Sequence, residues 1–168
     1  MAVSDVSLAQ VFGPDHVIRD LAARDKKTVV KEMIQFLVDQ DRLPSDAVKK
    51  AERAVHKRES MGTTGIGKGL GIPHAKECSF VDEVVGVFAR SVEGIAFESV
   101  DGGLVHVLFL VLSPAKMASQ HLEIMKRIAL LHRDEKTLQY LARDAKLASL
   151  EAIFSEVDDE FSRSTAST

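Results

Sequence analysis

Residues 62–74 read GTTGIGKGLGIPH, with glycine at 62, 65, 67, 69 and 71, a lysine at 68, and Pro73 pressed against His74. Glycine-rich loops cradle phosphates because the missing Cβ lets backbone N–H groups come close to an anion. The stretch falls one residue short of the P-loop pattern G-x-x-x-x-G-K-[ST]. Gly62, Gly67 and Lys68 fit, but Gly69 stands where a magnesium-binding hydroxyl is needed. The dinucleotide fingerprint fails too. Counted from Gly65 it meets Leu70, and from Gly67 it meets Ile72, where glycine is required. A P-loop also lies between a strand and a helix, whereas this stretch follows a helical pattern and ends at Pro73. The chemistry therefore centres on the histidine.

Six histidines are present. Pro73 fixes its own φ and restricts Ile72 to extended conformations, so His74 is held on a stiff neck beside glycines that leave room for a partner. Such an imidazole can be general base, metal ligand or covalent nucleophile. No H-x-x-x-H or Cys/His cluster supplies companions, which argues against a metal. His121 opens a helix, where the positive dipole end favours neutral imidazole and donors for an anion; an exposed residue near an N-cap is the plain alternative. Arg58 ends a helix just before the loop, where it complements the dipole or clamps phosphate oxygens. His16 and His56 read as solvated, His132 as a helix-end cation, and His106 as a satisfied core histidine. The single cysteine, Cys78, follows the PHAKE stretch with no activating arrangement beyond His74.

The elements that must position these residues follow from periodicity. Residues 26–40 place Val30, Met33, Ile34, Leu37 and Val38 on one helical face. Pro44-Ser45 opens a second helix over 46–59, with Ser45 as N-cap. Then the texture changes to strands at 84–90 and 94–97, a turn at Asp101-Gly102-Gly103, and a nearly continuous apolar strand at 104–112 that reads as buried on both faces. Helical patterns return around 122–131, 135–142 and 147–157. The order predicts an α+β fold: a three-layer α/β/α sandwich whose mixed β-sheet is covered by helices on both faces. Residues 1–160 form one domain and 161–168 a disordered tail.

Bulk properties set the bounds. A 168-residue chain with 45 % hydrophobic residues can bury a substantial core. A net charge of −3 and a pI near 6.1, with no basic block, argue against nucleic acid. One cysteine suits a reducing cytoplasm. The longest apolar run is too short for a bilayer and no secretory signal is visible, so a cytoplasmic protein without stable membrane insertion is expected.

The segment KRESMGTTGIGKGLGIPHAK (57–76) resembles the phosphorylation-site segment of the fructose/mannitol-type IIA proteins of the bacterial phosphoenolpyruvate-dependent phosphotransferase system. Arg58, Glu59, Gly62, Thr63, Thr64, Gly65, Ile66, Gly67, Gly69, Ile72, Pro73 and His74 all fall in its register. Residues 84–114 are similar to that family's strand segment, and QHLEIMKRIALL (120–131) to its histidine-bearing helix. The resemblance implies that His74 is the phosphorylated residue, with His121 and Arg58 as catalytic companions. Thr64 and the loop N–H groups at Gly65 and Gly67 would steady the phosphoryl oxygens, with His121 protonated or donating. Ile66, Leu70 and Met117 would form an apolar docking rim. No cofactor, nucleotide or metal is implied.

The implied partners are a histidine-containing phosphocarrier protein upstream and a regulatory target or IIB domain downstream. With no IIB or sugar-translocating domain attached, the chain looks most like the nitrogen-regulatory branch. A separately encoded sugar-specific IIA component, or a binding module that never exchanges phosphate, are the alternatives. Lys68 departs from the family pattern and would add a cation near the site. Gly71 departs as well, in place of the usual alanine, and would loosen the neck; Lys116 and Met117 stand where acidic or small polar residues are common.

Overall fold

The apolar run LVHVLFLVL becomes the strand around which everything else is arranged. In the computed structural model, which describes residues 6–144 and 146–166, the elements are α1 (Leu8–Val11), β1 (Val17–Ile18), α2 (Lys26–Asp39), α3 (Val48–Ser60), β2 (Gly65–Gly67), β3 (Leu70–Gly71), β4 (His74–Ala75), β5 (Val85–Ile95), β6 (Val105–Leu112), α4 (Ala118–Arg133), α5 (Glu135–Arg143) and α6 (Leu147–Ala166). The sheet order is β1-β5-β6-β3-β2, and β4 pairs with β6 farther along the same edge as β3. β6 runs antiparallel to β5 and parallel to β3 and β4, so the sheet is mixed.

Both faces of β6 are covered, which explains its nearly unbroken apolar character, interrupted only by half-buried His106. Leu108, Leu110 and Leu112 pack with Val30, Met33, Ile34 and Leu37 of α2 and Val55 of α3. Val107, Phe109 and Val111 face α1, α4, α5 and α6. On that second face Phe12, Phe88, Phe109 and Phe154 pack edge-on and tilted, with ring centroids 4.9–6.2 Å apart, geometries that suit the ring quadrupole. The three-layer arrangement is the one expected.

Local differences have local causes. The expected cap at Ser45 is absent: Ser45–Ala47 forms a 3₁₀ turn closed by Ala47 N–H to the Pro44 carbonyl at 3.0 Å, and the α-helix starts at Val48. The two strands read at 84–90 and 94–97 are mostly one, β5, interrupted by a register shift between Arg90 and Ile95. The tail expected to be disordered is helical through Ala166; Ser167 and Thr168 lie outside the described residues. Buried Arg127 holds α6 in place. It pairs with Asp158 at 2.7 Å and lies over the Phe161 ring at 4.4 Å, while the Asp158 carboxylate also accepts the N–H groups of Leu8 and Ala9. His16 is likewise not solvated: it is buried, with Nδ1 2.6 Å from the Val11 carbonyl.

Gly86 on β5 is where α1 meets the sheet most closely. A Cβ there would lie 2.6 Å from the Phe12 ring and 2.7 Å from the Leu110 carbonyl oxygen. Because the second contact is backbone, relaxation cannot relieve it. Gly86→Ala should destabilise the fold by about 3 kcal/mol, read as a lower urea midpoint with unchanged slope.

Candidate functional site

One strand pairing and two helix ends bring the site together. β4 lies against β6, with His74 opposite Val111 and Ala75 opposite Leu112. Backbone bonds from Val111 N–H to the Pro73 carbonyl and from Ser113 N–H to the Ala75 carbonyl lock this register at 3.1 Å each. Beyond β6 the chain passes Ser113 and Pro114, makes a 3₁₀ turn over Ala115–Met117, and enters α4, which carries His121 in its first turns. The His74 and His121 rings end 5.5 Å apart, tilted by 46°. α3 packs on β4 and delivers Arg58 and Glu59 at its C-terminal end.

Each ring is oriented by one hydrogen bond. His74 Nδ1 is 2.7 Å from the Ile72 carbonyl oxygen. A carbonyl only accepts, so Nδ1 carries the proton and Nε2 keeps its lone pair for chemistry. His121 Nδ1 lies 2.6 Å from Ser113 Oγ, and its Nε2 is buried without a hydrogen-bond partner. Burial is the main cause holding the His74 pKa below the usual histidine value. The Ile72 bond and Glu59 oppose it, while Arg58 and Lys76 add to it. His121 is pushed down to about 4, first by burial, then by His74 and Lys76. Both imidazoles are therefore neutral near pH 7 in the unphosphorylated protein, His121 chiefly because its ring has been taken out of water.

Arg58 is half-buried, and Nη1 donates to the Gly62 carbonyl at 3.0 Å. Its neighbour Glu59 holds the loop. The buried Glu59 carboxylate accepts the Thr64 N–H at 2.8 Å and the Thr64 hydroxyl at 2.5 Å, and pairs with Lys26 Nζ at 2.9 Å. Burial alone would raise the Glu59 pKa, but these donors together hold it below the ordinary carboxylate range. Thus Thr64, expected to steady phosphoryl oxygens, has its hydroxyl committed to Glu59.

The glycine stretch does something other than line a phosphate. It forms the β2–β3 hairpin, whose turn residues Lys68 and Gly69 have φ of 58° and 77°; positive φ at both is the requirement of the type I′ turn that suits a two-residue hairpin. Gly65 N–H bonds to Thr63 Oγ1, and a Cβ on Gly65 would come within 2.9 Å of the Ser99 Cα. Gly67 has φ of 94° and faces the Asp101 carboxylate, a poor neighbour for an anion. These glycines serve close packing and the turn, which corrects their expected role.

The hairpin also points away from the histidines. Leu70 pairs with Val107, four residues before the partner of His74 on β6, about 13 Å along the strand. Leu70 is fully buried and cannot line a docking rim; Ile66 and Met117 are only partly covered. Nor is Lys68 near the site. Its Nζ donates to the His132 carbonyl at 3.3 Å, eleven residues along α4 from His121, about 16 Å away. Cys78 is buried and its thiol pKa is raised by burial, as for an inert thiol. The sequence reading gave no role to Lys26, Glu59 or Ser113. Glu59 stood inside the quoted motif, but nothing local announced its bonds to Thr64 and Lys26.

Residues 10–157 match the family described as phosphoenolpyruvate-dependent sugar phosphotransferase system, EIIA 2, and the chain belongs to that family. The nitrogen regulatory protein of Bradyrhizobium diazoefficiens is 32% identical over 145 residues, covering 83% of this chain and 90% of its own. The fructose-specific EIIA component of Haloferax volcanii is 38% identical over 130 residues, 71% of this chain and 82% of that one. A fructose-specific EIIABC component of Bacillus subtilis is 33% identical over 82% of this chain, which spans only 22% of that longer protein. The fold is shared with the crystal structure of nitrogen regulatory protein IIA-Ntr from Neisseria meningitidis, at a TM-score of 0.78 and 24% identity over 88% of this chain and 98% of that one. Among the described residues no helix is long and apolar enough to cross a membrane.

The depressed His121 pKa has a measurable consequence. An unfolded chain takes up a proton as pH falls through about 6.5, whereas folded His121 resists until about 4. Its stabilising contribution is complete above pH 6.5 and is lost on acidification toward 4. Between pH 7 and pH 5 the protein should lose about 1–2 kcal/mol more stability than a His121→Gln variant, by urea denaturation.

Proposed function

We propose that this protein is a phosphoryl carrier of the phosphotransferase system, accepting the phosphoryl group on His74 Nε2 from the phosphohistidine of a small phosphocarrier protein. The observation that carries this reading is the Nδ1 bond to Ile72, which leaves a neutral imidazole with its nucleophilic nitrogen uncommitted. The Nε2 lone pair bonds to phosphorus as the donor's N–P bond breaks, and the donor imidazole departs with the electron pair. Positive charge grows on the His74 ring during attack, and the Ile72 carbonyl, accepting Nδ1–H, stabilises it. Phosphoryl transfer of this kind rests on positioning and charge stabilisation. Arg58 and the His121 ring supply the donors for the equatorial oxygens. The step needs neither nucleotide nor metal.

Docking uses the surface around His74. Met61, three residues after Arg58, is 77% exposed and Leu122, next to His121, is 55% exposed. With partly covered Met117, and Ile66 farther out, they form the apolar rim that a partner would cover. The nitrogen-regulatory role is favoured by the Bradyrhizobium relative, 90% of whose length this chain covers; such a protein reports its phosphorylation state to a downstream target. The fructose-specific relative from Haloferax supports the second reading, transfer onward to a IIB domain. A complex of a mannitol IIA with a phosphorylated IIB, both from Escherichia coli, shares this fold at a TM-score of 0.69 and 17% identity over 84% of this chain and 96% of that one. A cytoplasmic setting fits either role.

Incubation with phosphoenolpyruvate, enzyme I and phosphocarrier protein should label the wild type at one site and leave His74→Ala unlabelled. Arg58→Ala should be labelled on the order of 100-fold more slowly. An unlabelled wild type would instead support a binding module that never exchanges phosphate, and rapid discharge to a IIB domain would support the sugar-transport reading.

A further inference from the structure

The least satisfied polar atom near the site is Nε2 of His121, buried without a partner in a ring that is 3 % exposed and sits 5.5 Å from the His74 ring. A buried, unpaired ring nitrogen is costly unless something occupies it in another state of the protein. What can occupy it depends on which nitrogen carries the proton, and the only hydrogen bond described to this ring is that with Ser113 Oγ at 2.6 Å. Ser113 is 1 % exposed, its N–H is spent on the Ala75 carbonyl, and its own carbonyl accepts from Cys78 N–H. Its hydroxyl is left with one described neighbour, His121 Nδ1.

Resting on the phosphohistidine reading above, we propose that Ser113 is a positioning residue: its hydroxyl donates to His121 Nδ1 and so places the ring proton on Nε2, making His121 a neutral donor to the phosphoryl group carried by His74. The opposite tautomer would turn a bare lone pair toward the phosphoryl oxygens and repel them. Ser113 thus does for His121 what Ile72 does for His74, with the opposite outcome. A carbonyl acceptor puts the proton on Nδ1 and leaves a nucleophile; a hydroxyl donor puts it on Nε2 and leaves a donor. The device gives the site a phosphate ligand without a second positive charge, which burial would oppose. Ser113 itself touches neither the phosphoryl group nor the partner.

Three measurements test this. Long-range proton–nitrogen NMR of the unphosphorylated protein should show His121 protonated on Nε2 in the wild type and in Ser113→Thr, and a mixture or reversal in Ser113→Ala. This readout needs no phosphorylation, so it stands apart from the carrier reading. Once phosphorylated, Ser113→Ala should lose its phosphoryl group about tenfold faster than the wild type, with Ser113→Thr restoring most of the lifetime. In a His121→Gln background the glutamine amide presents an N–H wherever Ser113 points, so adding Ser113→Ala should change the lifetime less than twofold. An Nε2 proton that persists in Ser113→Ala would overturn the proposal. So would an undiminished tenfold loss in the His121→Gln background, because it would mean that Ser113 acts through packing.

Discussion

The site depends on one short hydrogen bond, His74 Nδ1–H to the Ile72 carbonyl at 2.7 Å. It forms between residues two apart, with Pro73 between them, so it exists only because the intervening backbone is fixed. Pro73 sets part of that geometry. The rest comes from backbone bonds on either side of this segment: Ile72 N–H to the Thr64 carbonyl, just before β2, and Val111 N–H of β6 to the Pro73 carbonyl. Were this neck loose, the ring could take up either tautomer and neither nitrogen would be reliably nucleophilic. The sheet, the Glu59 clasp on Thr64 and the α3–β4 packing all support the same neck.

The second constraint is desolvation. Both histidines lie almost wholly out of water, and His74 further lowers the tendency of His121 to charge. A pair of imidazolium ions would be expelled from such a place; a pair of neutral rings is tolerated, and their difference in tautomer allows different roles. Arg58 provides the permanent charge. It remains half-exposed, so it keeps part of its hydration until an anion arrives.

Much of the fold was legible because long elements repeat their signal. α2 was read at 26–40 and ends at Asp39; β6 was read at 104–112 and begins one residue later. The short strands within GTTGIGKGLGIPH were not legible, since two- and three-residue strands carry no period, and glycine there signals flexibility and close packing alike. That is why Leu70 was read as exposed when it is core, and why Lys68 was placed near a site about 16 Å distant. Resemblance named the residues His74, His121 and Arg58, and the fold brings them together. It could not give the partners that orient them. Ser113 lies eight positions from His121 and Lys26 thirty-three from Glu59, and only tertiary structure joins such pairs.

Where the phosphoryl group sits on the ring is the most direct test of the account. Nitrogen-15-labelled protein, phosphorylated through the phosphocarrier and followed by proton–nitrogen correlation, should show phosphorus coupling at Nε2 of His74, with Nδ1 still protonated toward Ile72. Coupling at Nδ1, or on any other side chain, would contradict it.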